Sequence, residues 1–273
     1  MNDLQKVELE LLKVFIETCK KLNLNYFLVC GSALGAARHG GFIPWDDDMD
    51  VGMYREDYNK FMEQAPALLP EGIFLQNYKT DPKFPHVFAK LRNSNTTYVE
   101  KPFKHIDMHH GIFMDIFPLD GFPTDSRARK KTLNAERFFS ILRFSAYELN
   151  PKVKFRSKVL YRILRILRVH NRMGKINARN ELNRTKFSIK ECELVRDLGT
   201  NHKSESIPKE YFGDGQVILF EGINVRVPVN YDRYLTCLYG DWRKLPPPEK
   251  QKGHHYYWVC DTEKPYTNYL NKK

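Results

Sequence analysis

The densest group of residues able to do chemistry is the acidic run DDDMD at residues 46–50. One apolar residue separates Asp48 from Asp50, and residues at that spacing on a strand point to the same face. Two like charges so close together are costly unless a cation neutralises them. Carboxylate pairs of this kind, together with substrate phosphates, typically hold Mg²⁺. The spacing therefore predicts a divalent-cation site, with Mg²⁺ the expected ion and Mn²⁺ the alternative.

A third acid, Asp115, interrupts the apolar run IFMDIF at residues 112–117, which is typical of a buried strand. A carboxylate at that point would complete the cation site and make Asp48, Asp50 and Asp115 the catalytic candidates. The competing interpretation is that residues 46–50 form a solvated acidic loop or a helix cap. The neighbouring β-type residues and the Gly31-Ser32 pair, which ends the preceding predicted strand, favour the cation site.

The segment CGSALGAARHGGFIPWDDDMDVGMYREDY, residues 30–58, resembles the LicD family of phosphocholine transferases. That family is related to the fukutins and has the nucleotidyltransferase fold. Four later blocks agree with it in order: FAKLRNSNTTY, FMDIFPLDGFP, FEGINVRVPVNYDRYL and LYGDWRKLPPPEK. Together the blocks extend from residue 30 to residue 250, so the resemblance covers most of the chain.

The resemblance implies an α+β fold, in which a nucleotidyltransferase-type mixed β-sheet is flanked by helices and carries a basic helical annex. We expect one transferase domain over residues 1–273. Its catalytic core would span about 20–120, the annex about 125–200 and a C-terminal family segment about 205–273. The implied reaction transfers a phospho-alcohol, typically phosphocholine from CDP-choline, to a hydroxyl of a cell-surface glycan or of its lipid-linked precursor.

The same resemblance assigns roles to residues of the first block. Asp48 and Asp50 are implied metal ligands with Asp115 as the third, and Gly31 and Ser32 would form the turn under the donor phosphates. Asp46 and Asp47 would either support the metal ligands without binding the ion or contact the acceptor. Roles as cap or turn residues are equally compatible with the sequence. Asp115 and Asp47 both remain candidates for the general base.

Cationic residues within the matching blocks are candidates for binding the donor diphosphate: Arg38, Lys90 and Arg92. Lys90 and Arg92 alternate on a predicted strand and so share a face, and Arg offers bidentate phosphate geometry. His39 would either contact substrate or hold a turn, and Glu221 would either cap a turn or contact the donor.

Two alternatives to phospho-alcohol transfer stay open. A true nucleotidyltransferase would transfer a nucleoside monophosphate to a small molecule or protein and release pyrophosphate, whereas a CDP-alcohol transferase releases CMP. A non-catalytic adaptor that binds membranes or polyanions would be expected to lack the acids, and this sequence retains all three.

The elements that must position these residues follow from apolar periodicity and turn residues. The first helix is expected to bury Leu4, Val7, Leu11, Val14, Phe15 and Thr18, and Pro118 is expected to end the Asp115 strand. Helices are predicted over 3–22, 32–38, 55–69, most of 125–200 and 231–239, and strands over 26–30, 46–53, 87–92, 96–99, 112–117 and 223–227.

The chain's net charge of +11 is concentrated in one segment. Residues 151–190 contain 13 Lys and Arg and a single acid, which leaves a net charge of −1 for the rest. Residues 154–172 alternate apolar and basic residues at helical spacing, as in helices that lie on anionic membranes, although an ordinary packed helix shows the same pattern. No motif accompanies the charge to suggest nucleic acid.

The N-terminus does not resemble a signal peptide, and no apolar run is as long as a membrane-spanning helix requires. The five scattered cysteines suggest buried free thiols in a reducing compartment. These features predict a cytoplasmic enzyme, with contact to the inner face of the membrane through residues 154–172 as an option. The adjacent pair His109-His110 is expected in a solvated loop.

Overall fold

The computed structural model describes residues 1–146, 159, 162–164, 166–196, 206–253 and 256–270. Within these ranges helices flank a mixed sheet whose strand pairs are mostly antiparallel, which is an α+β arrangement. In chain order the helices are α1 (Asp3–Leu22), α2 (Cys30–His39), α3 (Arg55–Gln64), α4 (Ser126–Ala146), α5 (Met173–Arg184), α6 (Tyr231–Tyr239) and α7 (Thr267–Leu270).

The strands form a mixed main sheet and two small ribbons. They are β1 (Phe27–Leu28), β2 (Asp50–Tyr54), β3 (Ile73–Gln76), β4 (Ala89–Asn93), β5 (Thr97–Glu100), β6 (Ile112–Phe122), β7 (Leu194–Arg196), β8 (Ile207–Pro208), β9 (Gln216–Phe220), β10 (Ile223–Val227) and β11 (Tyr257–Asp261). The main sheet has the order β1-β2-β6-β4-β3, and β7 joins β6 to β8. Among the described strands only β2 and β6 pair in parallel, while β9–β10 and β5–β11 form the ribbons.

The central strand β6 is longer than predicted, because it continues through Pro118 to Phe122. Its pairing with β4 covers residues 112–116, and its pairing with β7 covers residues 120–122. On this edge of β6, Pro118 lies between the two stretches, so the N–H that proline lacks breaks no ladder bond there. On the opposite edge Pro118 is in register with Met53 of β2. The prediction that Pro118 ends the strand was therefore wrong.

The helix α1 has the predicted bounds, but its buried face differs from the predicted one. Gln5 and Glu8 are each only 1% exposed, while the predicted core residues Leu4, Val7 and Val14 are only half-buried. Packing of α1 against β6 and β4 turns Gln5 and Glu8 inward. The helix thus buries two polar residues that its apolar pattern did not predict.

The acidic strand begins later than predicted. Residues 46–48 form a loop, and β2 starts at Asp50, although the Asp115 N–H already donates to the Met49 carbonyl (2.8 Å). The expected alternation is confirmed, since Met49 and Val51 are fully buried in the core. Asp48 is therefore positioned by a loop rather than by the sheet.

The basic annex is described only in part, and Lys154, Lys158 and Arg165 lie outside the described residues. Residues 162–164 are helical, but Arg168 adopts a left-handed conformation (φ 50°) and a short 3₁₀ turn follows. The predicted continuous helix to residue 172 was therefore wrong at its C-terminal end. Within the described part of the chain, no helix combines the length and apolarity needed to cross a membrane.

Candidate active site

The centre of the candidate site is a row of polar side chains across neighbouring strands. Asp50 on β2 is in register with Asp115 on β6, and Asp115 is in register with Lys90 on β4. Residues in register point to the same face of a sheet. The Lys90 Nζ lies 2.9 Å from Asp115 Oδ1, and all three side chains are more than nine-tenths buried. Two of the three predicted metal ligands are thus neighbours, and Lys90 partly neutralises them.

The loop acids lie beside this row. Asp46, Asp47 and Asp48 each offer a carboxylate oxygen, and these atoms lie within 4.8 Å of one another. The Asp50 backbone N–H donates to Ser32 Oγ (2.8 Å), which fixes the start of β2 against the start of α2. A Cβ on Gly31 would lie 2.8 Å from Asp46 Oδ2, so only glycine allows this carboxylate its place. The predicted pair Gly31-Ser32 therefore positions the acids.

The two ends of α2 hold different candidate residues. Gly31 and Ser32 were predicted in a loop turn, but they lie in the first turn of α2. The N-terminal end of the helix, with its free N–H groups and the positive end of its dipole, therefore faces the acids. Arg38 and His39 lie in its last turn. The Arg38 guanidinium donates to the Trp242 carbonyl (2.9 Å) and to His39 Nε2 (3.0 Å). Arg38 is close enough to Asp46 for the two charges to interact.

Arg92 and Glu221 make internal contacts in this structure. Arg92 is fully buried, and its guanidinium donates to Gln76 and to the Gly111 carbonyl (2.6 Å). The Glu221 carboxylate accepts the Phe42 N–H (3.0 Å), while its own N–H donates to the Gly40 carbonyl (2.9 Å). These bonds hold the loop after α2 in place. They are the contacts expected if Glu221 caps a turn, which is one of its two predicted roles.

The pair His109-His110 is not solvated, contrary to expectation. His110 is fully buried and its Nε2 is 2.9 Å from the Ile106 carbonyl, while His109 stacks on Phe74. Burial lowers the pKa of His109 to about 3. Neighbouring aromatic rings, including that of Tyr266, enclose both imidazoles, and no local sequence pattern predicted this packing.

A cleft of about 760 Å³ opens beside the loop acids. Two aromatic residues, Trp45 and Tyr257, line it together with five acids. None of the described lining residues is Lys or Arg. The acids are Asp3, Asp46, Asp47, Asp261 and Glu263. A strongly negative, partly aromatic cleft favours a positively charged ligand over an anionic one.

The proximity of the acids disturbs their titration. Burial, with the charges of Asp48 and Asp47, raises the pKa of Asp46 to about 8. Burial and the charge of Asp48 raise the pKa of Asp50 well above its usual range, and Lys90 only partly opposes this. Burial also raises the pKa of Asp115, again against Lys90. Without a cation, Asp46 therefore keeps its proton at neutral pH, and the charged forms of Asp50 and Asp115 are disfavoured.

The raised pKa of Asp46 predicts how the stability of the fold depends on pH. A carboxyl group whose pKa rises from 3.8 to about 8 on folding stabilises the folded state at low pH, and this stabilisation is lost as pH rises toward 8. We expect the melting temperature in EDTA to fall between pH 5 and pH 8, and Mg²⁺ to raise it more at pH 8 than at pH 6. Differential scanning calorimetry measures both. In Asp46→Asn the EDTA profile should be flatter, and a wild-type profile independent of pH would contradict the prediction.

The residues present fit a hard divalent cation. Buried like charges need neutralisation, and Lys90 is a single positive charge among several carboxylates. Asp46, Asp47 and Asp48 supply carboxylate oxygens within 4.8 Å of one another beside Asp50 and Asp115, and carboxylate oxygens are the ligands that Mg²⁺ and Mn²⁺ prefer. The buried Glu8 on α1, whose Oε2 has no hydrogen-bond partner among the described residues, points to the same requirement.

Two residues near the acids were missed by the sequence analysis. Tyr239 lies at the end of α6 and is an exposed residue, but local desolvation of its hydroxyl and the charges of Cys30, Asp50 and Asp46 raise the pKa of that hydroxyl. Glu8 on α1 is close enough to Asp48 for their charges to interact. The signal for Glu8 was an acid on the same helical stripe as Leu12. Tyr239 lies in the block LYGDW, but no spacing rule singled it out.

Comparison with known proteins identifies a matching family and several relatives of this chain. Residues 23–138 match the family described as LicD/FKTN/FKRP, nucleotidyltransferase domain. The lipopolysaccharide cholinephosphotransferase LicD of Haemophilus influenzae is 32% identical over 260 residues, covering 93% of this chain and 96% of that protein. The ribitol 5-phosphate transferase FKRP of Mus musculus is 62% identical over 34 residues, 12% of this chain and 7% of its own length. FKRP of Homo sapiens matches to the same extent.

Proposed function

The chain belongs to the LicD family, and from this premise we propose that it transfers a phospho-alcohol from a nucleotide-activated donor to a hydroxyl of a glycan. The most specific form of the proposal is Mg²⁺-dependent transfer of phosphocholine from CDP-choline to a cell-surface glycan or its lipid-linked precursor. The observation that carries the proposal is the row of Asp50, Asp115 and Lys90 beside the loop acids. The similarity to the H. influenzae enzyme along nearly the whole chain supports the same reaction class.

In this reaction the acceptor hydroxyl attacks the phosphorus that carries the alcohol. The bond from that phosphorus to the CMP oxygen breaks, CMP leaves, and the hydroxyl proton passes to a base. Phosphoryl transfer depends mainly on positioning and on charge neutralisation. Divalent cations held by Asp48, Asp50 and Asp115 would supply that neutralisation.

The protein's own residues would divide the remaining work. Lys90 holds Asp115 in place and limits the charge repulsion between Asp115 and Asp50. The first turn of α2 offers N–H groups to a phosphate oxygen. Asp47 lies half-buried on the cleft, whereas Asp115 is buried against Lys90. We therefore favour Asp47 over Asp115 as the group that takes the acceptor proton.

The cleft favours a cationic alcohol. Quaternary ammonium groups bind to aromatic faces and to negative charge, and Trp45, Tyr257 and the five lining acids supply both. An uncharged polyol such as ribitol would gain little from these charges. This contrast supports choline over ribitol as the transferred alcohol.

A donor screen tests the proposal. Purified protein with Mg²⁺ and glycan acceptors is incubated with CDP-choline, CDP-ethanolamine, CDP-ribitol, CDP-glycerol or a nucleoside triphosphate, and the nucleotide products are separated. We expect CMP from CDP-choline at a rate at least ~10-fold above that from CDP-ribitol, and background release in EDTA. Pyrophosphate from a triphosphate would support nucleotidyl transfer instead, and preference for CDP-ribitol would refute the choline assignment.

Peripheral membrane contact through residues 154–172 remains part of the proposal, since a lipid-linked acceptor would require it. In the described part of this segment Ile163, Ile166 and Leu167 are exposed, and Ile166 is 77% exposed. Exposed apolar residues among basic ones suit an anionic bilayer. Cosedimentation with anionic vesicles at low salt tests the contact, and absence of binding would remove it.

A further inference from the structure

Glu8 lies on the buried face of α1, close enough to the acidic loop for its charge to interact with those of Asp46, Asp47 and Asp48. One turn earlier on the same face, the Gln5 side-chain amide donates to the Ile43 carbonyl (3.1 Å) and to the Asp46 carbonyl (3.1 Å). These two bonds fix α1 against the loop that carries the acids. Since residues three apart on a helix are neighbours, Glu8 lies beside this anchor. It is 1% exposed.

The carboxylate of Glu8 is incompletely satisfied. Among the described residues its Oε2 atom has no hydrogen-bond partner, and the buried hydroxyl of Tyr98 also has none. A buried charged or polar group without a partner is strongly unfavourable. Burial, followed by the charges of Asp48, Asp46, Asp47 and Asp115, raises the pKa of Glu8 well above its usual range. Among the described residues, the charges that act most strongly on Glu8 are therefore those of the site's acids, and none of these is a Lys or Arg.

A different buried carboxylate shows how the fold satisfies a structural acid. The carboxylate of Asp120 on β6 is 1% exposed and accepts hydrogen bonds from Arg55 (2.6 and 2.7 Å) and Arg184 (3.2 Å). Both of its oxygens are paired with guanidinium groups. Among the described residues Glu8 has no such arrangement, although it is equally buried. This difference leaves the Glu8 carboxylate open to a partner other than the described residues.

We propose that Glu8 is a cation ligand, a fourth carboxylate that α1 adds to Asp48, Asp50 and Asp115. Four carboxylates match the charge of two divalent cations, and phosphoryl-transfer sites often hold two such ions ~3.5–4 Å apart. The proposal rests on the proposed function in so far as both use the same cation site. It adds to that site a residue from outside the acidic motif.

The test is a titration of the full-length protein with Mn²⁺, without donor or acceptor. Free Mn²⁺ is followed by its electron paramagnetic resonance signal, and Mg²⁺-induced changes in melting temperature are recorded in parallel. Glu8→Gln keeps the shape of the side chain and removes its charge. The matched control is Glu10→Gln on the exposed side of the same helix. Glu8→Asp keeps the charge and shortens the side chain.

For Glu8→Gln we expect at least ~10-fold weaker Mn²⁺ binding, or loss of one of two bound ions, with an EDTA melting temperature at or above that of the wild type. Glu8→Asp should bind Mn²⁺ more tightly than Glu8→Gln. A purely structural role predicts the reverse order, because Gln preserves the packing and Asp does not. Glu10→Gln should bind Mn²⁺ as the wild type does.

Equal Mn²⁺ binding by Glu8→Gln and wild type would overturn the proposal, as would wild-type protein that binds no Mn²⁺. If Glu8→Gln does not fold, Glu8→Asp decides: weaker Mn²⁺ binding in a variant that melts as the wild type does supports the proposal, because the shortened side chain withdraws the carboxylate, and unchanged binding overturns it. These outcomes are separate from the donor screen, because failure to use CDP-choline would leave Mn²⁺ binding intact.

Discussion

Replacing Asp50 with asparagine is expected to lower kcat/KM for transfer by about 10³-fold or more while leaving the protein folded. Catalysis of phosphoryl transfer relies on charge neutralisation, and loss of one such group typically costs this much. Asparagine has nearly the same shape, and the Asp50 backbone bond to Ser32 Oγ does not depend on the side chain. The raised pKa of Asp50 shows that its charge destabilises the cation-free fold. The melting temperature of Asp50→Asn in EDTA should therefore equal or exceed that of the wild type.

The measurement compares steady-state CMP release with calorimetry for the same preparations. Asp214→Asn, an exposed acid outside the site, is the control and should keep wild-type activity. Asp50→Asn should also abolish the Mg²⁺-induced rise in melting temperature. An Asp50→Asn protein that retains activity within tenfold of the wild type would remove the cation-site hypothesis.

The sequence predicted those parts of the site that follow from local periodicity. Alternation along the acidic segment placed Met49 and Val51 in the core, and Asp115 stood out as one acid in an apolar strand. Their proximity could not be derived from spacing, because the parallel register of β2 and β6 depends on the whole sheet. Only the family resemblance joined these two acids in advance.

The residues that were missed depend on long-range packing. Glu8 precedes Asp48 by 40 positions, and it meets the site only because α1 crosses β4 and β6. Arg92 shares a strand face with Lys90 as predicted, yet its guanidinium is engaged in the core by Gln76 and Gly111. Periodicity specifies the face on which a residue lies. It does not specify which neighbour the tertiary fold brings to that face.

The strand β6 carries a candidate catalytic acid on one face and a structural acid on the other. Asp115 points toward Asp50 and Lys90, whereas Asp120, five residues later, points to the other face. There it joins α3 and α5 through Arg55 and Arg184. The Arg184 guanidinium also donates to the Val87 carbonyl (3.0 Å). The acid on one face of β6 is fully paired, as a structural charge should be. The acids on the other face are only partly paired, as expected of candidate catalytic charges.

Replacing Asp120 with alanine should therefore destabilise the protein by about 3–5 kcal/mol, because two buried guanidinium groups lose their partner. Urea denaturation and calorimetry should show this loss, with a melting temperature lowered by roughly 10 °C. Glu17→Gln, which breaks the exposed pair with Lys20, is the matched control and should change neither. Well below its melting temperature, Asp120→Ala should keep kcat within a few-fold of the wild type, since Asp120 faces away from Asp115. A large loss of kcat without loss of stability would instead assign Asp120 to the catalytic machinery.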